Sequence, residues 1–236
     1  MRLALISDLH ANAAALSTLI DVLDSVDRVV CLGDVVGYYC QVNETIDLLR
    51  QYDPLCILGN HDYFLLHGCR DDAPESVRFG VEFAQRVITA PHRAWLTELP
   101  HVWGGQIDSR SCLFFHGSPW QPIDHYLYAD SPLLSNLDLF EQDLLAFGQT
   151  HRPLIRLEKR PALINPGSVG QSRSSQSYGR ACAVILDTET MDAQSITREY
   201  NMQAVVDQAL GYGAGEWVRK FLPEQLTDSL PTTLKR

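Results

Sequence analysis

The sequence predicts an α/β fold with two sheets, and three observations carry that prediction. Short apolar runs alternate with stretches of helical period over residues 1–62, each run ends in a cluster of polar residues, and beyond residue 100 the period becomes that of strands joined by short links.

The first run, Leu3-Ala4-Leu5-Ile6, leads into Ser7-Asp8-Leu9-His10. The second, Arg28-Val29-Val30-Cys31-Leu32, leads into Gly33-Asp34, and the third, Leu55-Cys56-Ile57-Leu58, into Gly59-Asn60-His61-Asp62. Leu16, Leu19, Ile20 and Leu23 recur at helical spacing between the first two runs, and Ile46, Leu48 and Leu49 between the second and third, which makes a β-α-β-α-β unit. Unbroken apolar runs are what parallel strands covered on both faces require. Ligands of such sheets bind beyond the carboxyl ends of the strands, where all three polar clusters fall.

Residues 63–99 read as helical, with a stripe of Val77, Val81, Phe83, Ala84, Val87 and Ile88 that Pro91 interrupts. Strands are expected over 101–107, 111–115, 144–147, 154–157, 162–164 and 181–186. The last three are expected to pair antiparallel, since their links are too short for crossover helices, so that the second half builds a second sheet. Residues 201–220 suit one or two closing helices. The whole chain, 1–236, reads as a single domain in which 222–236, with two prolines, is a loose tail.

Bulk properties narrow the function. With 45% hydrophobic and 20% charged residues the chain is an ordinary folded protein. A net charge of -10 without any Lys or Arg run repels a polyphosphate backbone, so long nucleic acid is not an expected partner. A bound phosphate must then be met by concentrated local positive charge, which metal ions supply. Six cysteines form no CxxC pair, and Cys31, Cys56, Cys112 and Cys182 fall in strand-like runs, as buried small hydrophobes of a reducing compartment do. The N-terminal apolar stretch is too short for a signal sequence, and no segment approaches the roughly 20 apolar residues of a membrane span. A cytoplasmic protein without a membrane partner is expected, and a homo-oligomer stays open.

The polar clusters carry the chemistry. Asp8 and His10, two apart, project together from an extended chain and suit one metal. Asp34 follows Gly33 at the next strand end, and its two oxygens could join two ions. Asn60 adds an amide oxygen, and His116 and His151 add imidazoles near Gly117 and Gly148. Imidazole, carboxylate and amide oxygen together suit Mn, Zn, Fe, Co or Ni better than Ca or Mg. Two such ions roughly 3.5–4 Å apart activate water and clamp a phosphoryl group, which is the chemistry of phosphoester hydrolysis.

Asp8-x-His10, Gly33-Asp34-x-x-Gly37-Tyr38, Gly59-Asn60-His61-Asp62, His116-Gly117 and Gly148-x-Thr150-His151 together resemble the motif series of the calcineurin-like metallophosphoesterases, in order and spacing, over roughly residues 1–175. The tract Asn165-Pro166-Gly167-Ser168-Val169-Gly170 resembles their small bacterial and archaeal phosphodiesterase branch. The resemblance implies a four-layer α-β-β-α sandwich of two mixed sheets with the metals at its edge. Asp8, His10, Asp34 and His151 would hold a first ion, and Asp34, Asn60 and His116 a second. His61 would protonate the leaving oxygen while metal-activated water attacks phosphorus in line. The chain departs from the family at Gln149, where His is usual: Gln149 is either a weaker ligand of the second ion or acts through water.

Around the metals, Asn12 and Arg173 are candidate substrate-binding residues, with Arg152 and Arg180 as further guanidinium candidates for phosphate. Trp120, His125, Tyr126 and Tyr128 are candidates to line the pocket and stack on a base. The expected reaction is hydrolysis of a small or nucleotide phosphodiester. Phosphomonoester or phosphoprotein hydrolysis is the alternative within the class. A non-catalytic protein-binding scaffold, as in the retromer subunit of this superfamily, is the alternative outside it. A scaffold has no need of His61.

Overall fold

A computed structural model describes residues 1–174 and 179–222. The β-α-β-α-β unit forms as expected: β1 (Arg2–Ile6), β2 (Arg28–Cys31) and β3 (Leu55–Cys56) run parallel. They are joined through α1 (Ala13–Ser17) and α2 (Ile20–Leu23), then α3 (Val42–Arg50). After β3 come α4 (Asn60–His67), α5 (Glu75–Val87) and α6 (Ala90–Thr97). The second half contains β4 (Val102–Ile107), β5 (Arg110–Phe115), α7 (Leu134–Leu137), β6 (Leu144–Ala146), β7 (Leu154–Arg156), β8 (Ala162–Asn165), β9 (Arg180–Asp187) and β10 (Ala193–Glu199). A helix α8 (Met202–Gly211) and a 3-10 turn over Glu216–Phe221 complete it.

Two mixed five-stranded sheets result, ordered β10-β9-β1-β2-β3 and β4-β5-β6-β8-β7. Alternation along each strand sorts side chains into layers. Leu3 and Leu5 of β1, Val30 of β2 and Leu55 of β3 meet Cys112 and Phe114 of β5, Leu144 and Ala146 of β6 and Ile164 of β8 in one apolar core between the sheets. Ala4, Ile6, Val29 and Cys31 turn the other way and pack with α1, α3, α5 and α8. Phe115, Leu145 and Leu163 face outward from the second sheet, covered by Leu127 and Leu137. The layers are therefore α-β-β-α, with the fourth layer thin.

Several expectations need correction. Ala181 to Leu186 does not build the second sheet: β9 pairs antiparallel with β1 and so joins the first, with β10 beyond it. Ala183 packs toward the helices and Val184 and Leu186 toward the inter-sheet core, so this strand needs cover on both faces, and the open edge of β1 provides it. In the second sheet β7 and β8 pair antiparallel as expected, and β8 returns parallel to β6 because the chain passes through the edge strand first. The sequence reading missed β10, an edge strand whose side chains are mostly exposed and polar and so lack an apolar alternation. The helical stretch 63–99 is three helices. Gly68, at φ +96°, closes α4, and Pro91 sits in the first turn of α6, which Thr89 caps, rather than breaking a helix. Of the tail expected over 222–236, Leu222 is buried and the rest lies outside the described residues.

One close approach ties α5 to the functional end of the first sheet. A Cβ on Gly80 would lie 2.1 Å from the Tyr38 nitrogen and 2.8 Å from the Gly37 carbonyl carbon, both backbone atoms that cannot rotate away. Gly80→Ala is expected to destabilise the protein by about 1–3 kcal/mol, as overpacking does. Chemical denaturation measures it, and an unchanged midpoint would mean that the 37–38 turn yields freely.

Candidate metal centre

The strand ends do not continue as extended chain. Asp8, His10, Asp34, Tyr38, Gln149 and His151 all have left-handed backbones, with φ between 51° and 69°. Such a conformation costs a residue with a Cβ about 1–3 kcal/mol and persists only where the surroundings hold it. Here they do: the Asp8 amide donates to Gly33 O and the His10 amide to Asp34 O, each at 3.0 Å, and the Arg173 amide to His151 O at 3.1 Å. Asp8 and His10 therefore converge through a turn, and the expectation that they share one side of an extended chain is corrected. The Asn165–Gly170 tract braces that turn, with Val169 N donating to Ser7 O, Gly170 N to Asp8 O and Ser168 Oγ to Asp8 O.

The turn brings donor atoms to one point. His10, His116 and His151 each donate Nδ1–H to a backbone carbonyl, of Val36, Leu32 and Gln171 respectively, at 3.3, 2.7 and 2.7 Å. Each Nε2 then faces inward. His10 Nε2 and His151 Nε2 lie 3.0 Å apart, and His151 Nε2 lies 3.3 Å from Asp8 Oδ1. Asp34 Oδ2 lies 3.8 Å from His10 Nε2 and 3.4 Å from His116 Nε2. The ligating atoms of Asp8, His10, Asp34 and His151 all fall within 4.8 Å of one another, and all four residues are buried. Asp8 Oδ1, Asp34 Oδ2 and Asn60 Oδ1 are buried without a hydrogen-bond partner. Orphaned acceptors are costly unless something positive meets them. Two nitrogens each about 2.0–2.1 Å from one ion lie roughly 3 Å apart when their bonds are near right angles.

Electrostatics agree. Burial, then His151 and His61, hold the His10 pKa well below its ordinary value, and burial and Arg173 do the same for His151, so both imidazoles are neutral with free lone pairs. Burial pushes the Asp8 carboxyl up to about 7, against His116. For His116 burial works downward, but the Asp34 charge prevails and lifts it to about 10. The cluster holds protons where it lacks other cations.

The family model of the calcineurin-like phosphoesterase superfamily domain matches residues 1–191. The chain belongs to that superfamily. An uncharacterized protein of Methanocaldococcus jannaschii is 28% identical over 242 residues, spanning 93% of this chain and 96% of its own. Among solved structures, a metallophosphoesterase from Sphaerobacter thermophilus is similar with a TM-score of 0.80 at 27% identity, over 94% of this chain and 97% of its own. A hypothetical protein from Pyrococcus horikoshii OT3 has the same fold, with a TM-score of 0.80 at 20% identity over 93% and 96% of the two chains. Metal dependence comes with the superfamily, and the buried unpartnered donors of this chain fit it.

In this chain Asp34 offers one free oxygen rather than the two expected: Oδ1 accepts from the His61 amide at 2.8 Å, leaving Oδ2 to the centre. Gln149 Oε1 lies 2.9 Å from His116 Nε2, among the same donors. The His61 ring sits 4.8 Å from His10 and 4.5 Å from Tyr38, centroid to centroid, with Nδ1 unpartnered. Asp62 had no assigned role. Its carboxylate accepts from the amides of Val35, Val36 and Gly59, which clamps the Asp34 loop to the Asn60 loop. Tyr38 and Asn165 were also missed as supports. Tyr38 underlies His61, and the Asn165 amide donates to Gly148 O at 2.6 Å and Thr150 Oγ1 at 3.2 Å, holding the Gln149–His151 loop.

The surrounding candidates separate. The Asn12 amide accepts from Ala15 N as the cap of α1 and donates to Gly170 O, and in doing so it braces two loops. Arg173 lies over the Tyr38 ring at 5.8 Å, donates to Tyr38 Oη and Gln171 Oε1, and its charge reaches Asp8 and the histidines. Arg180 pairs with Glu199 across β9 and β10. Arg152 stacks on Tyr128 at 5.6 Å, and Tyr126 and Tyr128 stack nearly parallel, 5.8 Å apart. Trp120 lines a groove with Leu139 and Phe140, while His125 bonds Ser118 Oγ.

Among the described residues no helix is long and apolar enough to cross a membrane.

Proposed function

We propose that this chain is a metal-dependent phosphodiesterase acting on small or nucleotide phosphodiesters. The observation that carries the reading is the convergence of buried, unpartnered oxygens on inward-facing imidazole nitrogens, at spacings suited to shared cations. Asp8, His10, Asp34 and His151 would hold one ion, and Asp34, Asn60, His116 and Gln149 the other. When bound, paired Mn, Zn, Fe, Ni or Co ions activate water and neutralise phosphoryl oxygens.

The protein's own groups do the rest. His61 is the proton donor: burial lowers its pKa against the pull of Asp34, and a docked phosphate anion adds negative charge that favours the imidazolium. Its ring is held between His10 and Tyr38, so the proton is delivered from a set position. Arg173 pairs with a non-reacting phosphoryl oxygen, its guanidinium kept in place by Tyr38 and Gln171. Tyr126 and Tyr128, with Arg152 over the latter, offer a partly exposed aromatic face for a base.

A hydrolysis panel on metal-stripped protein reloaded with Mn, Zn, Fe, Ni or Mg tests the reading. Turnover should return with a transition metal and favour nucleotide diesters over aryl phosphomonoesters. Equal efficiency, a monoester preference or turnover without metal would overturn it. A substitution tests the ligand set separately. Gln149→His is expected to tighten the second ion, because an imidazole nitrogen donates more strongly than an amide oxygen. Unchanged metal content across a titration would remove Gln149 from the set.

A further inference from the structure

We infer that Asp124 is a positioning residue for the second metal site, acting through the side-chain amide of Gln149; the inference rests on the two-ion reading above. A glutamine presents an oxygen on one side and an NH2 on the other, and only the oxygen can serve a cation. Half a turn of the terminal torsion exchanges the two, and that torsion is broad and roughly two-fold. An unsupported Gln where an imidazole is usual would thus offer the wrong end to the ion much of the time.

In this chain the choice is made by a carboxylate. Gln149 Nε2 donates to Asp124 Oδ1 at 3.0 Å, and an ionised carboxylate can only accept. The donor end is thereby committed, and Oε1 faces His116 Nε2 at 2.9 Å. Gln149 is 2% exposed, so water has little access to compete for either end. The carboxylate also polarises the amide toward its oxygen, as an acidic partner behind a ligating imidazole does.

Asp124 is itself held in place. Its Oδ2 accepts from Arg70 Nη1 at 3.1 Å, and Arg70 follows α4, the helix that opens with Asn60 and His61. The loop carrying Asp124 is folded onto the end of β5 by Gly117 N donating to Pro122 O at 2.7 Å and Ser118 N to Gln121 O at 3.1 Å. A Cβ on Gly117 would lie 2.7 Å from His125 N, so the loop returns as tightly as glycine allows. One carboxylate thus joins the three segments that bring Asn60, His116 and Gln149 together. The Arg70 pair does not explain its placement as a stabilising bridge, since Arg70 is 60% exposed and such pairs contribute little.

Calorimetric titration of metal-stripped protein with Mn2+ tests the inference. Wild type should show two binding steps. Asp124→Ala should weaken the second by about 10–100-fold, the range for outer-shell partners of metal ligands, and leave the first unmoved. In a Gln149→Ala background the same substitution should add nothing. A second step untouched by Asp124→Ala, an equal loss in the Gln149→Ala background, or equal weakening of both steps with a lowered melting temperature would overturn it, the last marking Asp124 as a loop staple only. A wild-type titration with a single step would instead overturn the two-ion reading, and this inference with it.

Discussion

Asp34→Asn is expected to yield a folded protein that takes up at most one ion and hydrolyses phosphodiesters far more slowly than the ~10–100-fold loss that outer-shell substitutions cause. The substitution keeps an amide oxygen to accept the His61 amide at 2.8 Å, so the turn between the second and third strand ends survives. What disappears is the charge on Oδ2, the buried unpartnered atom between His10 Nε2 and His116 Nε2. Among the described residues the other carboxylate beside both imidazoles is Asp8, whose Oδ1 is 3.9 Å from each. Elemental analysis after dialysis against Mn2+, run beside circular dichroism, checks both halves. Two ions retained with a native spectrum would show that Asp34 is not the shared ligand.

His61→Ala is expected to cost about 10²–10⁴ in turnover, the range for positioned acid-base groups, and to cost it selectively. Esters whose alcohol departs as a poor leaving group need a proton in the transition state and should show the full loss. Esters of acidic phenols should show little. Metal content should stay at the wild-type value, since the His61 ring lies edge-on to His10 and tilted against Tyr38 and is not one of the ligands assigned to either ion. A plot of log kcat/KM against leaving-group pKa, steeper for the variant than for wild type, is the diagnostic. Parallel lines would mean that His61 only positions its neighbours.

The sequence exposed the middle of each sheet more readily than its edges. β1 and β2 are buried on both faces and read as unbroken apolar runs, and the polar residues that follow them are the ones gathered at the centre. β10 had no such signal, because an edge strand with a solvated face needs few apolar residues. The sheet assignment of β9 was not legible either: its apolar pattern calls for burial, which either sheet could have provided. Asp62 and Asp124 look alike in sequence, each an acidic residue near a histidine. One clamps two loops through backbone amides, and the other meets a side chain 25 residues away.

The kinds of donor, their order and their position after strand ends were determined by the sequence alone, because strand burial and the 3.6-residue helical period leave a mark on local composition. The tertiary structure decided which oxygen of Asp34 stays free, which end of the Gln149 amide faces the centre, that Arg173 turns inward while Arg180 pairs at an edge, and that Asn12 braces loops. Each of those outcomes depends on a hydrogen-bond partner brought close by the packing of two sheets, and local composition carries no record of which distant group will arrive.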